Sequence, residues 1–455
     1  MGINFKAEEW WTVKVKMKTA FLSALLTSSM VTMSGLGEEP DTNWPQWRGP
    51  LANGVSLTGN PPITWSETEN IRWKVSVPGR GHSTPVVWDD RVVLTTAIPF
   101  GNQLDPIYSE APGAHDNVPV TQKHRYAVMA LSRRDGSCLW QRVVKEVLPH
   151  EGGHYTASLA SHSPVTDGER IYAFFGSRGL YCLAWDGTLL WKVELGQLKS
   201  KHGHGEGASP VLFNDTIVVN SDHEGESFIV AIDKHSGMQR WKVARDEVTS
   251  WATPIVVPNG EKSQVVVSGT DRVRGYDLDT GDVIWECGGL SANIIASPVS
   301  SNGIVYVGSS YETRALMAIR IQGASGDITD TDQVLWNRFQ ATPYVPSPLL
   351  YKGSLYVLRH YQGILSRVVA ETGDEPTGPF RLGGIGNVYA SPVAVSDRIY
   401  ITDLDGATIV ISDSNEPEVL AFNRLRDRFS ASAAISGSDL FLRGMRYLYC
   451  IGSPD

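Results

Sequence analysis

Short apolar runs separated by tight polar turns recur along the chain from about residue 71 to its end. Each cycle opens on a Ser-Pro-Val-like phrase, at Pro85, Pro164, Pro210, Pro254, Pro298, Pro348 and Pro392, with spacings of 79, 46, 44, 44, 50 and 44 residues. Ala433 continues the series after 41 more. An apolar run follows, then a turn holding Asp, Asn or Gly, then a second run such as Gly303-Ile304-Val305-Tyr306-Val307 or Arg398-Ile399-Tyr400-Ile401. Such pairs predict hairpin strands. A third run comes next (Tyr181-Cys182-Leu183, Val230-Ala231-Ile232, Tyr449-Cys450-Ile451), and a turn leads to a fourth. Gly136, Gly187, Gly237 and Gly281 each stand four residues before a tryptophan, at Trp140, Trp191, Trp241 and Trp285. Glycine takes the positive φ that the turn needs, a nearby Asp can satisfy its free N–H groups, and the Trp falls on one chosen face of the outer strand.

Units of this size and content predict an all-β fold, an eight-bladed β-propeller of four-stranded antiparallel blades around a central channel. The unit beginning at Ala433 runs out after its third strand at Ile451, while Ile71-Arg72-Trp73-Lys74 offers an outer-strand phrase ahead of the first unit. The last blade is therefore expected to be closed by an N-terminal strand, which hides sheet edges from other chains. The propeller is expected over residues 71–453. Two long segments fall inside the first spacing, an insertion from Pro99 to Lys123 and a connection from Val143 to Ser161. Long loops in a compact ring are candidates for function. Residues 38–70, with Trp44-Pro45-Gln46-Trp47-Arg48-Gly49-Pro50, are expected to strap across the ring, their tryptophans acting as packing anchors.

Charge removes one class of partner. With 40 Lys+Arg against 49 Asp+Glu, the net charge is −9, and no basic surplus exists to displace phosphate counterions from nucleic acid. The four cysteines stand singly, without a CxxC pair, which leaves no thiol-based zinc or redox motif and predicts small buried hydrophobes. Lys14, Lys16 and Lys18 precede an apolar stretch from Thr19 to Met33, and Gly35-Leu36-Gly37 follows. That order is the pattern of a secretory signal peptide over residues 1–37, too short and too rich in Ser and Thr for a membrane span. Its removal leaves 36 basic against 47 acidic residues. A periplasmic or extracellular monomer with no transmembrane span after signal removal is expected.

Asp277-Leu278-Asp279-Thr280-Gly281 ahead of Trp285, with its relatives across at least six blades, resembles the repeat of the PQQ-like β-propellers. That superfamily contains quinoprotein alcohol dehydrogenases and eight-bladed outer-membrane assembly factors of the BamB type. Residues 44–50 resemble a phrase that opens exported PQQ-like proteins of planctomycete-type bacteria. The resemblance implies blade geometry and says little of chemistry. It associates the dehydrogenases with a vicinal disulfide, a Ca²⁺ site of Glu, Asn and Asp, and in some a CxxCH cytochrome motif. This chain has neither adjacent cysteines nor CxxCH. The expectation is an exported, non-catalytic binding or scaffold protein that presents one loop face to a protein, peptide or glycan partner. A metal- or PQQ-dependent oxidoreductase using the same face, or an outer-membrane assembly factor, are the alternatives. No cofactor is expected, with a divalent metal as the alternative.

Connections entering first strands, and those joining second to third strands, share one face of a propeller. His82, His150, His154, His162, His202 and His204 fall in the first class and His115, His124, His223 and His360 in the second, leaving only His235 elsewhere. The candidate ligand-binding residues on this face are His82, His154, His162, His202, His204, Glu206, His223, Trp251, Tyr344 and Arg428. Lys201-His202-Gly203-His204-Gly205-Glu206-Gly207 is the densest cluster. If extended, its two imidazoles and carboxylate project to one side, a donor set suited to a divalent transition metal that His154 or His162 could complete. The same groups suit a polar small-ligand or peptide site. Trp251, Asn293, Tyr344, Tyr389 and Arg428 hold entry positions of later blades, and their mixture of aromatic, amide and cationic groups suits a sugar, a peptide or a partner loop. No Ser-His-Asp arrangement is recognisable.

Overall fold

The computed structural model describes residues 42–453 except 261, 360 and 361. The signal-peptide segment and His360 lie outside the described residues. Eight sheets, each with four antiparallel strands at increasing distance from the axis, form the ring. Their innermost strands are Val86–Trp88, Val165–Thr166, Val211–Phe213, Ile255–Asn259, Val299–Ser301, Leu349–Tyr351, Val393–Val395 and Ala434–Ser436. In the last blade, Ile71–Ser76 pairs with Tyr447–Ile451 as the outermost strand, placing Lys74 opposite Tyr449 and Val75 opposite Leu448. The first and last blades are thus bound through chain segments at opposite ends of the sequence. Blade four carries a fifth strand, Gly326–Asp327, parallel to Val283–Cys287.

The residue before each repeated proline explains why the phrase opens on Ser or Thr. The Thr84 amide donates to Ser163 Oγ at 2.9 Å, the Ser163 amide to Ser209 Oγ at 3.0 Å, and the Ser209 amide to Thr253 Oγ1 at 3.0 Å. Thr253 donates to Ser297, Ser297 to Ser347, Ser347 to Ser391 and Ser391 to Ser432, all at 2.9–3.0 Å. The Thr84 hydroxyl then donates to the Ser432 carbonyl at 3.0 Å and closes the belt. These residues are buried, so the seven accepting hydroxyls each satisfy an amide that water cannot reach, and that of Thr84 satisfies a carbonyl.

Tryptophan and glycine join blades at the rim. The Trp140 indole N–H donates to the Trp185 carbonyl at 2.8 Å, Trp191 to Lys234 at 3.1 Å and Trp241 to Leu278 at 2.8 Å, each in the next blade. Trp73 reaches Arg133 of blade one in the same way at 2.8 Å. Their rings lie on the turn glycines: a Cβ on Gly136, Gly187, Gly237 or Gly281 would come within 2.7–2.9 Å of Trp73, Trp140, Trp191 or Trp241. The glycine therefore serves both the turn's positive φ and the neighbour's indole. Across the sheet, Trp140, Trp241 and Trp336 face Ala130, Ala231 and Ala318, while Trp191 and Trp73 face Cys182 and Cys450. Those two cysteines are small buried residues beneath an indole. Cys287 is also buried, but Cys138, expected inside, is exposed at the start of an outer strand.

Trp285 departs from the docking pattern. Its N–H goes to Gln264 Oε1 of its own blade at 2.8 Å, because blade five replaces the short third turn with a loop that lends Gly326–Asp327 to blade four. The first blade's middle strands extend further than expected, Arg91–Phe100 and Lys123–Ser132, and its outer strand runs Cys138–Val147. The strap lies on the face of the turns between first and second strands. Trp44 exchanges backbone bonds with Val87 in blade one, Pro45 accepts from Thr166 in blade two, Arg48 donates to Pro348 in blade six and Gly54 accepts from Ala394 in blade seven. It thus crosses the axis. Trp44 and Trp65 are buried anchors in a cluster with the last blade, whereas Trp47 points into the channel.

Candidate functional site

Opposite the strap, the entry loops and the blade-one insertion enclose a funnel of about 610 Å³, with Trp47 contributed from the strap side. Hydroxyls of the inner belt (Ser163, Ser209, Thr253, Ser347, Ser391, Ser432) line its depth. Above them stand Trp251, Asn293, Tyr311, Tyr344, Asn387 and Tyr389 on the later blades, and His82, His115, His154, His202 and His204 on the first three. Tyr311 and Tyr344 stack with centroids 6.0 Å apart at 14°.

The segment Lys201–Gly207 is not extended. A 3₁₀ turn occupies Lys201–Gly203, with His202 at φ +56°, so the expected period-two arrangement of His202, His204 and Glu206 does not form. His202 and His204 still meet, with ring centroids 5.3 Å apart. Glu206 turns into the wall, where its carboxylate accepts from the Ser177 amide at 2.7 Å, the Ser177 hydroxyl at 2.6 Å and Arg178 Nη1 at 3.0 Å. A buried carboxylate so engaged is a structural anchor rather than a metal ligand.

The other expected residues divide between mouth and wall. His154 joins His204 at 4.9 Å, and its ring lies 4.5 Å from that of Tyr155. His82 lines the funnel, and burial with Arg80, Arg443 and Arg428 nearby holds its pKa well below the usual imidazole value. His162 is buried edge-on against Phe174 at 4.7 Å, with its pKa pushed down to about 4 by burial. His223 is a loop staple. Its Nδ1 accepts from the Gly225 amide at 3.0 Å and its Nε2 faces the Glu226 carbonyl at 3.1 Å. Trp251 is tied through its N–H to the Gly205 carbonyl at 2.7 Å while its ring lines the funnel. Arg428 is exposed and outside the lining.

His115 was missing from the candidate set. It sits in the blade-one insertion, which folds back through an Ile107–Val120 bridge and pairs Asn117 with His154. Asn117 Nδ2 also donates to the His202 carbonyl at 2.7 Å. The insertion's length marked it as a candidate, but its path across two neighbouring blades depends on these non-local contacts.

The residues do not fit a quinone with Ca²⁺. Ca²⁺ takes six to eight oxygen ligands, whereas the carboxylates in the funnel lining are Asp116 and the already engaged Glu206. The cysteines stand singly within blade strands.

Residues 124–377, more than half of the chain, match the family described as outer membrane protein assembly factor BamB. No curated protein matches the sequence. Among solved structures, BamB from Moraxella catarrhalis superposes with a TM-score of 0.52 at 14% identity, covering 78% of this chain and 99% of that one. A europium-containing methanol dehydrogenase gives 0.58 at 11%, covering 90% and 91%. A quinohemoprotein alcohol dehydrogenase from Pseudomonas putida HK5 gives 0.56 at 10%, covering 91% and 81%. At such identities the likeness speaks for the fold alone. With the family's signature spread over most of blades one to six, the chain belongs to the BamB-type family of β-propeller proteins.

Proposed function

We propose that this protein is an exported, non-catalytic binding protein whose funnel receives an uncharged polar chain, with a glycan end as the favoured ligand. The funnel's lining carries the reading: aromatic faces of Trp251, Tyr344, Tyr389 and Tyr311 stand among the amides of Asn293 and Asn387 and a floor of hydroxyls. Aromatic faces pack on the apolar faces of sugar rings while amides and hydroxyls pair with their OH groups. Asp116 is the one lining carboxylate that makes no ion pair with Lys or Arg among the described residues, its charge lying beside His154. Export rests on the basic, apolar and small-residue order of residues 14–37. Among the described residues, no helix is long and apolar enough to cross a membrane.

The test is a glycan array followed by calorimetry with wild type and Tyr311→Ala. Tyr311 is about half exposed, so its removal should leave the fold intact. Saturable binding of a neutral oligosaccharide, weakened by about tenfold or more in the variant, is expected from loss of a stacking face. Binding of peptides alone would transfer the funnel to a polypeptide partner, as the family's description as an outer membrane protein assembly factor suggests. Turnover of an alcohol or sugar in the presence of PQQ and Ca²⁺ would overturn the non-catalytic reading.

A further inference from the structure

Four imidazoles from three chain segments converge at one side of the funnel mouth. The ring of His204 lies 4.7 Å from that of His115, 4.9 Å from His154 and 5.3 Å from His202, and His115 and His202 are themselves 5.3 Å apart. Three of these rings have a defined tautomer, and in His154 the Nδ1 accepts from the Thr156 amide at 3.3 Å, which leaves the proton on Nε2. His115 Nδ1 faces the Gly113 carbonyl at 2.8 Å and His202 Nδ1 faces the Pro112 carbonyl at 2.9 Å. A carbonyl only accepts, so both Nδ1 atoms carry the proton and both Nε2 atoms keep a free lone pair. His204 Nε2 is buried and has no hydrogen-bond partner among the described residues. A carbonyl behind Nδ1 with a free Nε2 in front is the support that a metal-binding histidine receives.

The backbone is shaped to hold this cluster. His202 and Gly203 have φ of +56° and +65°. A Cβ on Gly203 would lie 2.1 Å from Ser109 Oγ, and one on Gly113 would lie 2.8 Å from His202 Nδ1. Both glycines are required for the insertion to close on the blade-three loop. A left-handed non-glycine residue costs free energy and persists where its surroundings demand it.

We propose that His115, His202 and His204, with His154 beside them, bind one divalent transition-metal ion of the zinc, nickel or copper kind. Neutral imidazoles select these borderline ions over Mg²⁺ or Ca²⁺. The ligand atoms of His115, His202 and His204 do not all lie within 4.8 Å of one another here, so the ion would have to draw exposed His115 and half-buried His202 inward. A tighter set of three potential ligands, His150, Glu151 and Glu206, has its atoms within 4.8 Å of one another. Arg178 already supplies the cation there, and His150 Nε2 faces the Leu198 carbonyl at 2.7 Å. The ion would clasp the insertion of blade one to blade three. This inference is independent of the glycan reading, because the imidazoles stand across the funnel from Tyr311 and Tyr344 in sequence and blade.

The experiment uses the full chain without a polyhistidine tag, dialysed free of metal and titrated with ZnCl₂ and with NiCl₂. Calorimetry and elemental analysis should each show one retained ion per chain, with a rise in Tm. His204→Gln, and separately His115→Gln with His202→Gln, should weaken binding by more than about tenfold and abolish the Tm rise. His235→Gln, altering an exposed histidine beside Asp215, should bind as wild type does. The proposal is overturned if wild type retains no stoichiometric ion, if the cluster variants bind as wild type, or if only His235→Gln loses binding. Should His204→Gln not fold, the His115/His202 variant decides by the same criteria.

Discussion

Glu206 and His204 are two residues apart, yet one anchors the wall and the other faces the mouth. The Glu206 and Arg178 side chains are each 7% exposed, so removing the carboxylate would strand a buried guanidinium. Glu206→Ala is expected to lower unfolding free energy by about 3–5 kcal/mol, measured by urea denaturation; a loss below about 1 kcal/mol would mean that the pair is solvated in solution. The neutral histidines make an acid-side prediction. Burial holds His162 at about 4, and burial with neighbouring imidazoles holds His204 at about 4, below the roughly 6.5 of an unfolded chain. Between those values the unfolded state binds more protons, so stability is full above about pH 6.5 and falls as pH drops toward 4. Tm should decline across that window, and His162→Gln should flatten the decline; an unchanged Tm from pH 7 to 4.5 would contradict the buried neutral rings. These assignments were only half legible in the sequence. The spacing of His202, His204 and Glu206 is visible, but the left-handed turn at His202 that sends Glu206 into the wall is created by contacts with Ser109 and Asn117, about ninety residues earlier.

At the level of the blade, the recurring phrases name the strands and the structure supplies their joints. The Pro phrase and the Gly-to-Trp offset were readable because each lies within one repeat. The serine belt was not, because its amide-to-hydroxyl bonds join residues 41–79 apart and its closing bond joins Thr84 to Ser432, so that its meaning exists only once the ring closes. Ser209→Ala should leave the Ser163 amide unsatisfied and cost about 1–3 kcal/mol, read as a shift in urea midpoint without a change in slope. Trp241→Ala should cost about 3–5 kcal/mol, since its ring fills the space over Gly281 and its N–H reaches Leu278. A similar loss from Tyr311→Ala would be unexpected, and would mean that scaffold and site had been exchanged. Trp285 shows the limit of local grammar: the same offset yields an indole bonded within its own blade because the following turn is longer.

The whole molecule is a ring sealed at two places by its N-terminal region. Ile71–Ser76 completes the last sheet, and the strap at residues 44–56 ties blades one and two to blades six and seven across the axis. The funnel depends on both, since the strand sets where the loops converge and the strap brings Trp47 to the channel. The split last blade was legible from an incomplete eighth unit and an orphan strand phrase, and a strap across the ring was expected from residues 38–70, whereas the blades it ties, with no repeat to follow, were not legible. Hydrogen exchange of the native protein reads this closure directly. Amides of residues 71–76 should be protected as strongly as those of residues 447–451, and those of Trp44, Gly54 and Ser56 should be slow as well, all opening only with the ring. Exchange of residues 71–76 within seconds while residues 439–443 remain protected would show an open last blade, and with it no common face on which the funnel could be built.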